Sequence, residues 1–220
     1  IEVEDIYLRL DKDFADFFNF LDARVGKGQY LVFLTADHGV AHVPGFSEEN
    51  KLPGRLFDDD AWRVELNNKL KDQFKAEKLI VSNYNYQVHL NHPLIDSLKI
   101  DEKAVKNFIV SFIGKQKGVS RVFALDDLMQ VPMNEKIRNM VANGYFPRRS
   151  GDIQIIMEPG WIDGGPTGTT HGAWYPYDAH IPCVFYGWKI KPGNTKRETY
   201  MTDIAATVAA LLHIQMPSGC

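Results

Sequence analysis

Residues 30–39 read YLVFLTADHG, and this stretch decides the fold. Its first half, residues 30–34, is a continuous apolar run, which is typical of a strand covered on both faces in a parallel sheet. Its second half places a carboxylate and an imidazole, Asp37 and His38, where that strand ends. Ligands usually bind at the carboxyl ends of strands in α/β sheets, so the stretch predicts both a buried strand and a site.

A second stretch of the same kind lies far downstream, where residues 168–172 read GTTHG. The segment YDAHIP at residues 177–182 follows it and leads into the strand-like run CVFYG at residues 183–187. Carboxylate oxygen and neutral imidazole nitrogen are donors that Zn²⁺ accepts. Two loops that each carry a histidine next to a glycine, at His38 and His171, are therefore candidates to converge on one metal site.

Both ends of the chain predict a helix beside a strand. Near the start, one apolar stripe at helical spacing predicts a helix that ends near Gly26 and Gly28. The stripe consists of Leu10, Phe14, Phe17, Phe18, Leu21 and Val25. Near the other end, residues 182–186 predict a strand, and Thr202 is expected to cap a last helix. These patterns predict an α/β fold with a mostly parallel central sheet flanked by helices.

The middle of the chain predicts a separate subdomain. Its pattern indicates helices over residues 60–78, 102–117 and 134–143, and strands over residues 86–90, 119–124 and 152–158. We therefore expect residues 46–149 to form an inserted α+β cap subdomain. Residues 1–45 and 150–220 are expected to form the α/β core.

The motifs DHG after a strand, GTTHG downstream and HIP at residues 180–182 together resemble the alkaline phosphatase superfamily. With AHVPGF at residues 41–46 and PSG at residues 217–219, the whole chain is similar to the C-terminal part of a bacterial, phosphate-irrepressible alkaline phosphatase of the periplasm. The resemblance implies zinc-dependent hydrolysis of small phosphate monoesters through a phosphoryl-enzyme intermediate, and a periplasmic location.

The resemblance also assigns roles to three residues. Asp37 and His38 would bind the zinc ion that activates a threonine nucleophile, and His171 would bind the zinc ion that receives the leaving-group oxygen. The family's remaining ligands and its nucleophilic threonine have no counterpart in the chain. We therefore expect a fragment of a longer enzyme that is inactive alone and binds zinc weakly or not at all.

The residues by themselves leave other interpretations open. Asp37 and His38 also suit an ordinary strand-to-helix turn, and a histidine such as His171 among glycine and threonine is usually just solvated. Three further residues are candidates to orient metal ligands by hydrogen bonds, although ordinary packing explains each of them as well. These are His42, Asp178 and His180.

Aromatic residues beside the His171 loop have two interpretations as well. They would either wall a pocket or pack the loop onto the core, and they are Trp161, Trp174, Tyr175 and Tyr177. Arg148 and Arg149 suit either a phosphate contact or a solvated loop. The remaining histidines, His89, His92 and His213, are expected to be plain surface or interface residues.

Composition narrows the functional classes. The net charge is −3 with acids and bases interspersed, which argues against nucleic acid as a partner. No apolar run approaches the roughly 20 residues of a membrane span. The two cysteines, Cys183 and Cys220, do not form a disulfide framework.

Two other functions fit the same sequence. A phosphodiesterase or nucleotide pyrophosphatase of the same superfamily would share the metal ligands and differ in substrate recognition. A catalytically dead domain with a binding or structural role would retain the fold without zinc chemistry.

Overall fold

The computed structural model describes residues 2–165 and 167–218. Its helices are α1 (Glu2–Arg24), α2 (Pro44–Glu49), α3 (Asp59–Phe74), α4 (His92–Leu98), α5 (Glu102–Ile113), α6 (Glu135–Gly144), α7 (Pro176–Ala179) and α8 (Thr202–Leu212). Its strands are β1 (Leu31–Thr35), β2 (Ile80–Tyr84), β3 (Gln87–Leu90), β4 (Val119–Ala124), β5 (Ile153–Met157) and β6 (Cys183–Gly187). This mixture of helices and strands agrees with the predicted α/β class.

The chain divides into two compact units. The smaller unit contains the residues up to Phe33 together with those from Val184 onward, and the larger unit is Leu34–Cys183. The predicted division into a core and a cap, at residues 45 and 150, stays a prediction. All three candidate zinc ligands lie within the larger unit.

The smaller unit is built from both ends of the chain. Strands β1 and β6 pair with each other, which confirms the two strands predicted over residues 30–34 and 182–186. The prediction that the first strand is buried on both faces is wrong, because Phe33 and Leu34 of β1 are 47% and 43% exposed. Phe18 of α1 packs against Tyr186 of β6, with ring centroids 5.0 Å apart. The apolar stripe of α1 is packed only in part, because Phe17 remains 47% exposed.

Helix α8 confirms the predicted last helix but not its cap. Met201 precedes the helix with helical dihedral angles and makes no capping bond through its side chain. The prediction that Thr202 caps the helix is wrong, because Asp203 closes the turn instead. Its carboxylate accepts a hydrogen bond from the backbone N–H of Tyr200 at 2.9 Å.

The larger unit contains a four-stranded antiparallel sheet in the order β2-β3-β5-β4. The predicted strands β3, β4 and β5 are confirmed, whereas the sequence did not predict β2. All five residues of β5 are buried, because its two faces contact different clusters of apolar side chains. Ile153 and Ile155 belong to one cluster, and Ile156 belongs to the other.

Helices α3 and α5 supply the first of these clusters. Leu66 and Leu70 of α3 and Val105 and Ile109 of α5 are at most 1% exposed. Helix α3 ends at Phe74, four residues before the predicted limit of 78, because the next residue adopts a left-handed backbone with φ 54°. Helix α6 and the segment after β4 supply the second cluster.

Candidate metal centre

The geometry of the DHG turn leaves one nitrogen of His38 available for a ligand. His38 Nδ1 lies 2.8 Å from the backbone carbonyl of Gly39, and a carbonyl can only accept a hydrogen bond. Nδ1 therefore carries the proton, and a neutral His38 ring exposes a lone pair at Nε2. The backbone N–H of His38 donates to Asp37 Oδ1 at 3.0 Å, which fixes the adjacent carboxylate.

Asp37 and His38 direct two acceptor atoms at the same region. Asp37 Oδ2 lies 3.5 Å from His38 Nε2. Two lone pairs at this separation repel unless a proton or a cation lies between them. This arrangement therefore suits a cation bound jointly by the carboxylate and the imidazole.

The structure brings His171 to the same place. The rings of His38 and His171 stack with centroids 3.4 Å apart and an angle of 11° between their planes. Two neutral rings tolerate this contact, whereas two imidazolium ions would repel each other at this distance. The two histidine loops thus converge, as the sequence predicted, and their assignment as zinc ligands stays a prediction.

Hydrogen bonds to backbone carbonyls link the two loops. The hydroxyl of Thr169 donates to the carbonyl of Ala41 at 2.5 Å, and the N–H of Ala41 donates to the carbonyl of Thr170 at 3.4 Å. Gly39 has no room for a side chain, because a Cβ there would collide with the carbonyl oxygen of Tyr177.

Asp178 is a buried residue that forms hydrogen bonds with both loops. Its Oδ2 accepts hydrogen bonds from the backbone N–H groups of Gly172 and Ala173, both at 2.7 Å. Its backbone carbonyl accepts from the N–H of Gly39, also at 2.7 Å. Asp178 is 4% exposed, so these bonds lie out of reach of bulk water and fix the residues next to His38 and His171.

The other two orienting candidates lie in more open surroundings. His42 is exposed and packs its ring against Phe46, with centroids 5.2 Å apart. His180 is also exposed, and its backbone N–H donates to the carbonyl of Pro176. Their proposed orienting role stays a prediction, and packing accounts for the observed contact of His42.

The aromatic residues near the His171 loop pack it onto the core. The Tyr175 hydroxyl donates to the carbonyl of Met157 at 2.7 Å, and the Tyr177 hydroxyl accepts from the N–H of Gly160 at 2.9 Å. Burial raises the pKa of Tyr175 and of Tyr177, which favours their neutral forms. Trp161 and Trp174 also pack against the core.

The donor set of this centre fits zinc. One carboxylate and two imidazole rings supply the oxygen and nitrogen atoms that zinc takes. The hydrogen bond of His38 to a backbone carbonyl is the usual outer contact of a metal-bound histidine, since it fixes both the tautomer and the ring orientation.

Sequence reasoning missed a second group of possible metal ligands. His92, Glu102 and Asp152 each offer one ligand atom, and these atoms lie within 4.8 Å of one another. Asp152 follows Glu102 by 50 residues, so no local motif marked the group. The prediction that His92 is a plain surface or interface residue overlooked its two carboxylate neighbours.

Comparison with known proteins identifies the family. The family model of type I phosphodiesterases and nucleotide pyrophosphatases matches residues 1–174. The chain belongs to this family. The match also agrees with the predicted membership of the alkaline phosphatase superfamily.

Three relatives match this chain of the phosphodiesterase family over its whole length. Alkaline phosphatase PafA of Elizabethkingia meningoseptica is 46% identical over 220 residues, and alkaline phosphatase PhoV of Synechococcus elongatus is 47% identical over 220 residues. A protein of Myroides odoratus named calcium-transporting ATPase is 46% identical over 221 residues. The chain spans about 40% of the length of these relatives.

A solved structure confirms the fold. The crystal structure of wild-type alkaline phosphatase PafA superposes with a TM-score of 0.94 at 46% identity, covering 99% of this chain and 41% of that one. The predicted alkaline-phosphatase-like α/β fold is therefore correct. Among the described residues, no helix is both long enough and apolar enough to cross a membrane.

Proposed function

We propose that this chain is the part of a zinc-dependent alkaline phosphatase that carries Asp37, His38 and His171 as metal ligands. The observation that carries the proposal is the convergence of three donors: Nε2 of His38 faces the Asp37 carboxylate at 3.5 Å while its ring stacks on His171. The substrates would be small phosphate monoesters, and the names of PafA and PhoV support this choice.

These residues would contribute ligands to two separate zinc ions. Asp37 and His38 would hold one ion, and His171 would hold the other. Zinc, when bound, supplies Lewis-acid stabilisation of the negative charge on phosphate and leaving-group oxygens.

The chain's own residues keep the ligands in place. The Gly39 carbonyl accepts a hydrogen bond from the N–H at Nδ1 of His38. Nε2 therefore keeps the lone pair that would bind zinc. Asp178 anchors the backbone beside both histidines. Attack on phosphorus needs an oxygen nucleophile, which we assign to a threonine in the remaining length of the enzyme, along with the other ligands.

The test uses the complete enzyme that contains this segment. We expect His38→Ala to lower the hydrolysis rate of a chromogenic phosphate monoester at alkaline pH by at least about a thousandfold, because positioned groups in such sites act as a unit. His213→Ala is the matched control, since this histidine follows α8 and is exposed. Equal rates for His38→Ala and the unaltered enzyme would refute the proposal.

The second candidate is a phosphodiesterase or nucleotide pyrophosphatase, which the family match favours. The same enzyme assayed on a phosphate monoester and on a matched diester separates the two. We expect a higher kcat/KM on the monoester, and a preference for the diester would select the second candidate. No turnover on either substrate, even after zinc is added to the enzyme, would indicate a catalytically dead domain.

The location we propose is the bacterial periplasm, from the similarity to alkaline phosphatases alone. Osmotic-shock fractionation of the source bacterium tests it. Recovery of the phosphatase with cytoplasmic markers would contradict it.

A further inference from the structure

The larger unit holds a cluster of ionisable residues that the phosphatase chemistry does not use. His92 begins α4, Glu102 begins α5, and Asp152 lies just before β5. His92 Nδ1 is 3.1 Å from Glu102 Oε2, and His92 Nε2 is 2.9 Å from Asp152 Oδ1. The imidazole therefore lies between two carboxylates that come from different parts of the sequence.

Each carboxylate is fixed through its other oxygen. Glu102 Oε1 accepts from Lys106 Nζ at 2.7 Å, and Asp152 Oδ2 accepts from the backbone N–H of Leu90 at 2.7 Å. Such outer hydrogen bonds orient the ligands of metal sites. Each carboxylate thus presents its remaining oxygen toward His92.

The carboxylates of the cluster outnumber the ammonium group that contacts them. Lys106 is 8% exposed and also contacts Asp126, with Nζ 2.6 Å from Oδ2. With His92 neutral, as a histidine that binds a metal ion is, three carboxylates and one ammonium carry a net charge of −2, which one divalent ion would neutralise.

A polar cavity of about 460 Å³ gives access to the cluster. The ionisable residues that line it include the cluster itself and its neighbours His89, Arg148 and Arg149. An ion can therefore reach the carboxylate oxygens from solvent.

We propose that His92, Glu102 and Asp152 bind a divalent transition-metal ion, with zinc the best match to one imidazole and two carboxylates. Three protein ligands are the number that zinc commonly takes when water completes its coordination. The ion would link the starts of α4 and α5 to the start of β5.

The test starts from a chain in which Asp37, His38 and His171 are all changed to alanine, so that the first centre cannot contribute. Competition with a chromogenic chelator measures zinc binding, and Co²⁺ absorption spectra report coordination. We expect one zinc ion per chain, with affinity reduced at least about tenfold in His92→Gln. His89→Gln is the matched control, because His89 lines the same cavity outside the cluster.

Circular dichroism establishes that each variant is folded. If the triple variant does not fold, His92→Gln and His89→Gln are made in the unaltered chain instead. We then expect His92→Gln to remove one tightly bound zinc ion and His89→Gln to remove none. Absence of zinc binding in the folded triple variant would overturn the proposal and leave an ion-pair network only. Equal losses for His89→Gln and His92→Gln would overturn it as well.

Discussion

Asp178 is the residue on which the geometry of the proposed zinc centre depends. Its carboxylate accepts two backbone N–H groups beside His171, while its carbonyl accepts the N–H of Gly39 beside His38. Its second carboxylate oxygen, Oδ1, is buried and has no hydrogen-bond partner among the described residues. A single residue thus fixes the backbone of two loops.

We expect Asp178→Asn in the complete enzyme to lower phosphatase activity by about 10–100-fold, the usual effect of losing an outer hydrogen-bond partner of a metal ligand. The amide weakens the acceptor for Gly172 and Ala173 and places a buried N–H₂ where Oδ1 lay. Activity and zinc affinity are measured together, with the exposed Asp96→Asn as the control. Unchanged zinc affinity in Asp178→Asn would show that the residue does not position the ligands.

Gly39 gives a test of the close approach of the two loops. Gly39→Ala places a methyl group against the backbone oxygen of Tyr177, and we expect about 1–3 kcal/mol of destabilisation from overpacking. Gly168→Ala, in the His171 loop, is the control because a methyl group there would meet no atom within 4 Å. Urea unfolding measures both, and equal stability of the two variants would contradict the observed packing.

The buried strand β5 organises the larger unit. It pairs with β3 on one side and β4 on the other, and its alternate residues contact two separate apolar clusters. Ile155 is fully buried at 0% exposure. We expect Ile155→Ala to cost about 2–5 kcal/mol in the free energy of unfolding, because it removes buried apolar volume and leaves a cavity.

Chemical denaturation measures the effect, and Val64→Ala on α3 is the control because Val64 is 62% exposed. A loss below about 1 kcal/mol for Ile155→Ala would mean that β5 is not the centre of the core.

The turn between β2 and β3 shows why the sequence did not predict this hairpin. Asn85 and Tyr86 both have positive φ, 52° and 56°, as the two-residue turn of a hairpin requires. Tyr86 is an unusual residue for such a turn. It is stabilised by burial and by donating its hydroxyl to Asp163 Oδ1 at 3.0 Å, a contact that no local pattern reveals.

Tyr86 also makes stability depend on alkaline pH. Burial, reinforced by the charge of Asp163, raises its pKa above the ordinary value of about 10. Because the folded state holds this proton more tightly than the unfolded chain, the resulting stability is present below about pH 10 and is lost as the pH rises further.

We therefore expect the free energy of unfolding to fall less steeply in Tyr86→Phe than in the unaltered chain between about pH 9 and pH 11. The substitution also costs roughly 1 kcal/mol at neutral pH through loss of the hydrogen bond to Asp163. Tyr84→Phe, at a position 74% exposed, is the control. Identical pH slopes for Tyr86→Phe and the unaltered chain would contradict this assignment.

Sequence patterns predicted the elements with strong periodicity and missed those that depend on distant contacts. Residues 119–124 were predicted as β4 with correct bounds. The alternation in residues 152–158 predicted a strand but not its burial on both faces, which depends on α6 and the segment after β4. Asp37 and His38 are adjacent in sequence, so their pairing was predictable. The motifs predicted that the His171 loop would converge with them, but not that the His171 ring would stack on His38.

The chain spans about 40% of the length of its alkaline phosphatase relatives, and its smaller unit exposes many apolar side chains. Val3, Ile6 and Tyr7 of α1 are each more than 60% exposed, and α1 has no buried residue. Exposed apolar surface of this extent is typical of a surface covered by other protein.

We expect the 220-residue chain alone to lack appreciable phosphatase activity, because our proposal assigns the nucleophile and the other zinc ligands to the remaining length of the enzyme. Hydrolysis of a chromogenic monoester with added zinc is compared between this chain and the complete enzyme. Turnover of the chain near that of the complete enzyme, abolished by His38→Ala, would place the whole catalytic apparatus within these residues.

Anomalous scattering at the zinc edge, from crystals of the complete enzyme, tests the assignment of the metal ligands themselves. We predict two zinc peaks, one within about 2 Å of His38 Nε2 and an Asp37 carboxylate oxygen, and the other within about 2 Å of a ring nitrogen of His171. Zinc bound elsewhere, with neither histidine within coordinating distance of a peak, would contradict the account.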